Sequence, residues 1–254
     1  MKASTKIDAD FAAGEPPAFG EARTVSAAEG YEWWAPSYDH APNPLLAREE
    51  RYLSALLTGL HGKSALDLAC GTGRWLEKLM EQGCESGVGI DYSSAMLRVA
   101  GEKPAIRGRL ARADCDSLPL PSDCFDLAIC SFAVGHIHDL GSVARELGRV
   151  TRAGADVFVT DLHSEAYALG WRVGFRWGDT AIQIEVRPRT ADEIVRVFCL
   201  NGFQCKRYET LWLGEPERSS FERAGKSDSF VAACKLPAVL VCHFRRHGSP
   251  PAEN

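Results

Sequence analysis

Residues 66–74 have the sequence LDLACGTGR, and this stretch decides the fold class. A short apolar run ends in a turn of small residues, and an apolar pattern with helical spacing begins at Trp75. Gly71 and Gly73 have no side chains, so a ligand can lie against the backbone there. The N–H groups that open a helix favour an anionic group. The stretch therefore predicts a strand, a ligand-binding loop and a helix start.

An acidic residue closes the next apolar run. Gly89, Ile90 and Asp91 end that run, and Asp91 follows Gly71 by 20 residues. An ionised carboxylate accepts hydrogen bonds and a ribose diol donates two, so the loop and the acid together predict a nucleoside-cofactor site. A dinucleotide fingerprint, G-x-G-x-x-G, has the same spacing to its acid, but its third glycine is replaced here by Leu76.

The segments that follow in the chain help to distinguish a dinucleotide from another nucleoside cofactor. Residues 113–131, ADCDSLPLPSDCFDLAICS, place an acid after a short strand, then an L-P-x-P turn and F-D-L-x-x-x-S. Residues 149–155 have the sequence RVTRAGA, which is similar to an R-V-L-K-P-G-G turn before a fifth strand. In this order, the motifs resemble those of the class I, seven-stranded S-adenosylmethionine-dependent methyltransferases, of the type 11 small-molecule family. The resemblance covers roughly residues 30–246.

The resemblance implies S-adenosylmethionine as the cofactor and assigns roles by position. Asp67 would order the glycine loop near the methionine amino group, or would simply cap that loop. Asp91 would bind the ribose, and Asp114 would accept a hydrogen bond from the adenine amino group. Residue 69 is alanine, where the family usually has glycine. The expected cofactor-binding residues are Tyr38, Asp67, Ala69, Cys70, Gly71, Gly73, Asp91, Tyr92, Met96, Asp114, Cys115, Ser131 and Phe132.

Residues 131–139, SFAVGHIHD, follow the fourth strand, where chemistry is expected in an open α/β sheet. His136 is the candidate catalytic base, and a purely structural histidine is the alternative. The candidate substrate-binding residues are Trp33, Trp34, His163 and Trp171. The aromatic residues of these segments suggest an apolar or aromatic organic acceptor, although core packing accounts for some of them. A base is needed only where the acceptor loses a proton, so the acceptor atom stays open.

The order of predicted strands and helices, with the resemblance, indicates an α/β fold. Its core is a doubly wound, mostly parallel seven-stranded sheet with an antiparallel edge hairpin. An N-terminal helical lid and an inserted hairpin after strand five complete it. We expect a disordered arm over residues 1–25 and one methyltransferase domain over 26–246. That domain divides into a lid (26–62), a cofactor-binding core (63–162), an inserted substrate-side segment (163–189), a C-terminal helix with edge strands (190–246), and then a tail (247–254).

The composition of the chain indicates which classes of partner and which compartment to expect. The 254 residues carry a net charge of −5 with no basic stripe, which argues against nucleic acid. No apolar run approaches the roughly 18 residues of a membrane span. Asp8 and Asp10 lie where a signal peptide would be apolar, so a cytoplasmic protein is expected. Nine cysteines without a C-x-x-C motif predict neither a metal site nor disulfides.

Two other functions remain open from the sequence. One is a nicotinamide-dependent oxidoreductase, against which Leu76 and the segment around Asp114 argue. The other is a non-catalytic partner subunit that keeps the cofactor fold, against which the glycine loop and both acids argue. A small-molecule acceptor is the expected partner, and the sequence does not determine the oligomeric state.

Overall fold

The computed structural model describes residues 22–247. Its helices and strands follow in chain order: β1 (Arg23–Val25), α1 (Ala27–Trp34), α2 (Pro44–Leu56), β2 (Ser64–Leu68), α3 (Arg74–Glu81), β3 (Ser86–Asp91), α4 (Ser94–Gly101), β4 (Leu110–Arg112), β5 (Phe125–Ser131), α5 (Leu140–Val150), β6 (Thr151–Leu162), α6 (Ser164–Ala168), β7 (Gly174–Trp177), β8 (Thr180–Ile184), α7 (Ala191–Leu200), β9 (Phe203–Trp212), α8 (Arg218–Arg223), α9 (Phe230–Ala233) and β10 (Pro237–Arg246). Short 3-10 turns span Ala35–His40, Val134–His136, Glu215–Glu217 and Ser227–Ser229.

The central sheet has seven strands in the order β4-β3-β2-β5-β6-β10-β9. Its first five strands run parallel, whereas β10 is antiparallel to both β6 and β9. This confirms the predicted sheet and its antiparallel edge hairpin. The chain leaves β4 at one edge and re-enters at β5 beside β2. The carboxyl ends of β2 and β5 therefore meet at the switch in strand order, where ligands bind in open α/β sheets.

Both faces of the sheet are covered, as a parallel sheet requires. Alternate residues of β5 face opposite sides: Leu127 and Ile129 pack in a core that includes residues of α2 and α3. Ala128 and Cys130 pack in a second core with residues of α5 and α7. The period-2 alternation therefore positions the sheet between two helical layers.

A second, three-stranded sheet has the order β1-β8-β7. The predicted inserted hairpin is confirmed as β7 and β8, which pair antiparallel. Residues 1–21 of the arm predicted over residues 1–25 lie outside the described residues. The predicted end of the arm at residue 25 is wrong, because the last residues form a strand. Arg23–Val25 is a strand parallel to β8, and the buried Val25 packs with Trp34 and Phe175. We call β1, α1, the turn Ala35–His40, β7 and β8, with the residues that join β8 to α7, the cap.

Two predicted boundaries differ from the structure. The last helix of the lid predicted over residues 26–62, α2, ends at Leu56, and its buried face includes Leu45, Glu49 and Leu53. The turn expected over residues 149–155 is largely absorbed into β6, which begins at Thr151. The extra residues form an irregularity there, because the pairing with β5 shifts register between its first two pairs. Within residues 22–247, no helix has the length and apolar character to cross a membrane.

Candidate active site

A cavity of about 440 Å³ opens at the carboxyl edge of the sheet, between the switch point and the cap. Cavities of roughly 300–1,000 Å³ are typical of small-molecule sites. The wall contains most of the predicted site residues: Tyr38, Ala69, Gly71, Asp91, Tyr92, Met96, Asp114, Cys115, Ser131, Phe132 and His136. The structure therefore brings together residues from both halves of the sheet and from the cap.

The glycine loop owes its shape to three left-handed residues. Ala69, Gly71 and Gly73 have φ angles of 54°, 54° and 78°. At Gly71 a Cβ would meet no heavy atom within 4 Å, so a ligand has room to approach the backbone. At Gly73 a Cβ would lie 2.3 Å from Ile106, so that glycine is needed for packing. Gly73 and Cys70 shape the loop but do not line the cavity.

Asp67 holds the loop from behind. Its carboxylate accepts a hydrogen bond from the N–H of Leu76 at 2.9 Å, in the first turn of α3. The side chain is buried, and burial raises its pKa to about 7. Asp67 does not line the cavity, and its hydrogen bond to Leu76 fits both readings of this residue, since each has Asp67 order the loop.

Asp91 lies at the end of β3 and faces the cavity. Its two carboxylate oxygens accept hydrogen bonds from the N–H of Gly71 at 2.7 Å and of Ser93 at 2.8 Å. Burial raises its pKa, and these backbone hydrogen bonds oppose the rise. Each carboxylate oxygen has a second lone pair, so Asp91 keeps acceptor capacity for a ribose diol.

The far end of the cavity suits a nucleobase. Tyr92 and Met96, which follow β3, and Asp114 and Cys115, which follow β4, line it. The guanidinium of Arg112 lies 5.2 Å from the centre of the Tyr92 ring and orients it. An apolar wall beside an acid fits an adenine whose amino group donates a hydrogen bond. Together with the space at Gly71, these residues fit S-adenosylmethionine. Among the described residues no cluster of three potential metal ligands occurs.

His136 lies at the opposite end of the cavity, in the turn Val134–His136. Its Nε2 lies 2.9 Å from Tyr31 Oη, and its Nδ1 lies 3.1 Å from the carbonyl oxygen of Glu185. Burial lowers the pKa of His136, so the neutral imidazole is favoured. Asp161 fixes this turn by accepting a hydrogen bond from the N–H of Gly135 at 2.7 Å.

A second cavity, of about 20 Å³, lies behind the first. Tyr31, Tyr38 and Phe132 line both cavities and separate them. Of the predicted substrate-binding residues, Trp34 lines this small cavity, together with Asp161. Its indole N–H is buried without a hydrogen-bond partner.

The other three predicted substrate-binding residues line neither cavity. Trp171 is 2% exposed and packs in the core beside α2 and α3. Trp33 packs on the cap with the guanidinium of Arg23 over its ring. His163 caps α6 and lies 3.3 Å from the hydroxyl of Thr210. The structure therefore does not bring these three residues to either cavity, since aromatic and histidine residues near a site also serve as ordinary core and cap residues.

Sequence reasoning missed Glu49, a fully buried carboxylate below the cavity floor. It accepts hydrogen bonds from Arg74, from the indole N–H of Trp75, and from the hydroxyls of Ser131 and Thr160. Ser131 lines the cavity, so this network fixes one wall of the site. The sequence feature that could have revealed Glu49 is a charged residue on the apolar face of the helix that became α2, because a buried charge must be paired.

Comparisons with known proteins agree with this geometry. A family model described as a methyltransferase domain matches residues 66–159. A demethylmenaquinone methyltransferase of Geobacillus stearothermophilus is 37% identical over 99 residues, which are 37% of this chain and 42% of that protein. A malonyl-[acyl-carrier protein] O-methyltransferase of Salmonella typhimurium is 36% identical over 136 residues, which are 54% and 50% of the two chains. The chain thus spans about half the length of the curated relatives it matches.

A solved structure extends the likeness to the whole fold. The S-adenosylmethionine-dependent methyltransferase of Mesorhizobium loti superposes with a TM-score of 0.64 at 22% identity. The superposition covers 80% of this chain and 100% of that one. The sheet order, the glycine loop and these matches agree. Residues 66–159 match a methyltransferase domain, and the fold is that of the class I, Rossmann-like methyltransferases; together they imply S-adenosylmethionine as the cofactor.

Proposed function

We propose that the protein transfers a methyl group from S-adenosylmethionine to a small organic acceptor. One observation carries the proposal: a single cavity joins the glycine loop, Asp91 and Asp114 at one end to His136 at the other. When bound, S-adenosylmethionine supplies a methyl carbon that its sulfonium has already activated. The residues of this chain then have to hold, align and shield the reactants.

In this proposal, different cofactor-binding residues bind different parts of S-adenosylmethionine. Asp91 holds the ribose, and Asp114 with the N–H of Cys115 holds the adenine. Ala69 and Gly71 offer backbone to the methionine moiety, and Ser131 and Phe132 lie toward the acceptor. Phe132 has a φ of 51°, a strained value for a bulky residue, which is typical of functional sites.

Alignment supplies most of the rate enhancement in this proposal. Holding two reactants in line is worth about 7–11 kcal/mol. The cap provides that alignment and excludes water, since Tyr31 and Tyr38 close the cavity above the sheet. Two contacts fasten the cap to the cofactor loops. Asp39 accepts a hydrogen bond from Thr72 at 2.6 Å, and Glu32 accepts one from Ser93 at 2.9 Å.

The acceptor is proposed to be apolar or aromatic. Aromatic and apolar side chains line much of the cavity, and Tyr31, Tyr38 and Phe132 are the aromatic ones that also border the small cavity near Trp34. Several relatives carry quinone-type names, including a 2-phytyl-1,4-naphtoquinone methyltransferase of Synechococcus elongatus, which is 34% identical over 109 residues. Those matches support an acceptor with a ring system.

The test is a methyl-transfer screen over a diverse metabolite library, with S-adenosylmethionine supplied and products measured by mass. We expect at least one organic molecule to gain a methyl group while S-adenosylhomocysteine accumulates. Calorimetry with S-adenosylhomocysteine runs in parallel. Binding without any methylated product would favour the non-catalytic partner subunit, and absence of binding would reject the cofactor site.

A further inference from the structure

We propose that Tyr31 is a proton relay between the acceptor and His136, and that the acceptor is a molecule methylated through a hydroxyl group that enters uncharged. This proposal rests on the proposed methyl transfer and names the acceptor class for the same site. It adds a reacting group from the cap that the sequence motifs do not contain.

The hydrogen bonds of His136 determine which ring nitrogen carries the proton. A carbonyl oxygen only accepts hydrogen bonds, so Nδ1, which faces the carbonyl of Glu185, carries the proton. In the neutral imidazole, Nε2 is then left with a lone pair. Tyr31 is the group at Nε2, and its hydroxyl donates to that lone pair. His136 is therefore oriented to receive a proton, and its nearest proton comes from Tyr31.

Tyr31 and His136 both line the main cavity, and Tyr31 alone of the two also lines the small cavity. The ring of Tyr31 lies parallel to Trp34 with centroids 6.0 Å apart. Burial raises the pKa of Tyr31 well above its ordinary value, and the charges of Asp161 and Asp91 act in the same direction. The phenol therefore stays protonated, and it gives its proton to His136 only as it receives another.

The proton transfer balances as follows. The acceptor hydroxyl gives its proton to Tyr31 Oη while the phenol proton passes to His136 Nε2. The electron pair left by the acceptor O–H bond forms the new bond from oxygen to the methyl carbon. The bond from that carbon to the sulfonium sulfur breaks at the same time, its electron pair stays on sulfur, and S-adenosylhomocysteine is the leaving group. The positive charge that arrives with the methyl group ends on the imidazolium of His136, and Tyr31 ends neutral. Proton loss from His136 to solvent restores the starting state.

Both hydrogen-bond partners of His136 come from the cap. Tyr31 lies on α1, and Glu185 directly follows β8. Glu32, the next residue after Tyr31, accepts hydrogen bonds from the Ser93 hydroxyl and the Ala95 N–H at 2.9 and 3.2 Å. The base is thus oriented only when the cap lies on the sheet.

This arrangement selects among acceptors by acidity. A thiol or a carboxylic acid ionises readily near neutral pH and gains little from a base, whereas a hydroxyl group does not ionise there. A relay on the acceptor side is therefore useful for an alcohol, enol or phenol. With the apolar walls of the cavity, a ring-bearing hydroxyl compound is the favoured class.

The first test uses the full chain without ligand. Protein labelled with ¹⁵N-histidine is studied by NMR, with the His136 signals assigned by their loss in His136→Gln. We expect Nδ1 protonated and Nε2 unprotonated, and a shift of the Nε2 resonance in Tyr31→Phe. Tyr208→Phe, which removes a hydroxyl from an exposed tyrosine on β9, is the matched control and should cause no shift. A protonated Nε2, or an unchanged resonance in Tyr31→Phe, would overturn the relay.

The second test compares 2-naphthol and 2-naphthalenethiol, which share a ring system and differ in the acceptor atom. A positioned acid or base is worth about 10²–10⁴-fold, so kcat of Tyr31→Phe should fall at least about 100-fold with the naphthol. With the thiol it should fall less than about threefold. Equal losses would show that Tyr31 only packs. If the wild-type protein methylates nothing in the library, the proposed function fails, and the NMR result still decides whether Tyr31 donates to His136.

Discussion

The carboxylate of Asp91 accepts a hydrogen bond from the backbone N–H of Gly71 at 2.7 Å. The acid at the end of β3 and the glycine loop after β2 are therefore one unit, although 20 residues separate them. Asp91 holds the loop in shape, and in the proposed function its remaining lone pairs accept hydrogen bonds from a ribose.

Replacing Asp91 tests the ribose assignment. A hydrogen bond that involves a charged group is worth about 1.5–3 kcal/mol, so Asp91→Ala should weaken S-adenosylhomocysteine binding by more than about tenfold. Calorimetry measures the affinity, and Asp228→Asn, a change at an exposed carboxylate far along the chain, serves as the control. Unchanged affinity in Asp91→Ala would remove Asp91 from the cofactor site.

The proposed contact between Asp114 and the adenine amino group can be tested from both sides, by changing Asp114 and by changing the ligand. If its carboxylate accepts from the adenine amino group, Asp114→Asn should lower cofactor affinity while thermal unfolding stays unchanged. The wild-type protein should also bind S-adenosylmethionine more tightly than its inosine counterpart, which lacks that amino group. Equal affinity for the two ligands would contradict the contact.

Ala69→Gly should stabilise the protein. Ala69 has a φ of 54°, and the left-handed conformation costs a residue with a Cβ about 1–2 kcal/mol relative to its usual region. Glycine adopts it freely but loses more entropy on folding, so we expect a gain of about 0.5–1 kcal/mol in the free energy of unfolding. Denaturant titration measures it. Ala47→Gly, on the exposed face of α2, should lose about 1 kcal/mol, and a loss in both variants would reject the strain at residue 69.

Two adjacent glutamates give a matched test of burial. Glu49→Gln should destabilise the protein by about 3–5 kcal/mol, because it removes the buried charge that the partly buried Arg74 faces. Glu50→Gln breaks partly exposed pairs with Arg74 and Lys78 and should cost less than about 1 kcal/mol. Denaturant titration measures both variants. Similar costs would mean that the Glu49 network contributes nothing beyond a surface ion pair.

The raised pKa of Asp67 should make the free energy of unfolding depend on pH. Its pKa in the folded protein is about 7, well above its ordinary value. The folded state therefore binds this proton more tightly than the unfolded chain, and the resulting contribution is full at acidic pH and lost as pH rises to about 7. Asp67→Asn keeps an oxygen for the Leu76 N–H and removes the titration. The free energy of unfolding of the variant, measured between pH 5 and 8, should fall less with pH than that of the wild type. Parallel curves would contradict the buried carboxylate.

The local parts of the site could be predicted from the sequence because they depend on backbone geometry over a few residues. A glycine loop between an apolar run and a helical pattern allows few structures, and acids that end successive parallel strands meet at one edge. This is why the sequence could group Gly71, Asp91 and Asp114, which line one cavity in the structure, and why the sheet class followed from the order of strands and helices. Ala69 was recognised as a departure from the family pattern, but its left-handed φ and its energetic cost appear only in the structure.

Tertiary structure alone decided which distant residues meet. Tyr31 and His136 are 105 residues apart, and nothing local at either position specifies the contact. It depends on the cap, whose first strand pairs with β8 across the inserted hairpin. The same holds for Glu49, whose four donors come from three separate elements, α3, β5 and β6. Trp171 and His163 show the converse, since residue type suggested a ligand contact and packing placed them elsewhere. Short-range geometry thus determined the cofactor loops, and long-range packing of the cap on the sheet determined the acceptor side.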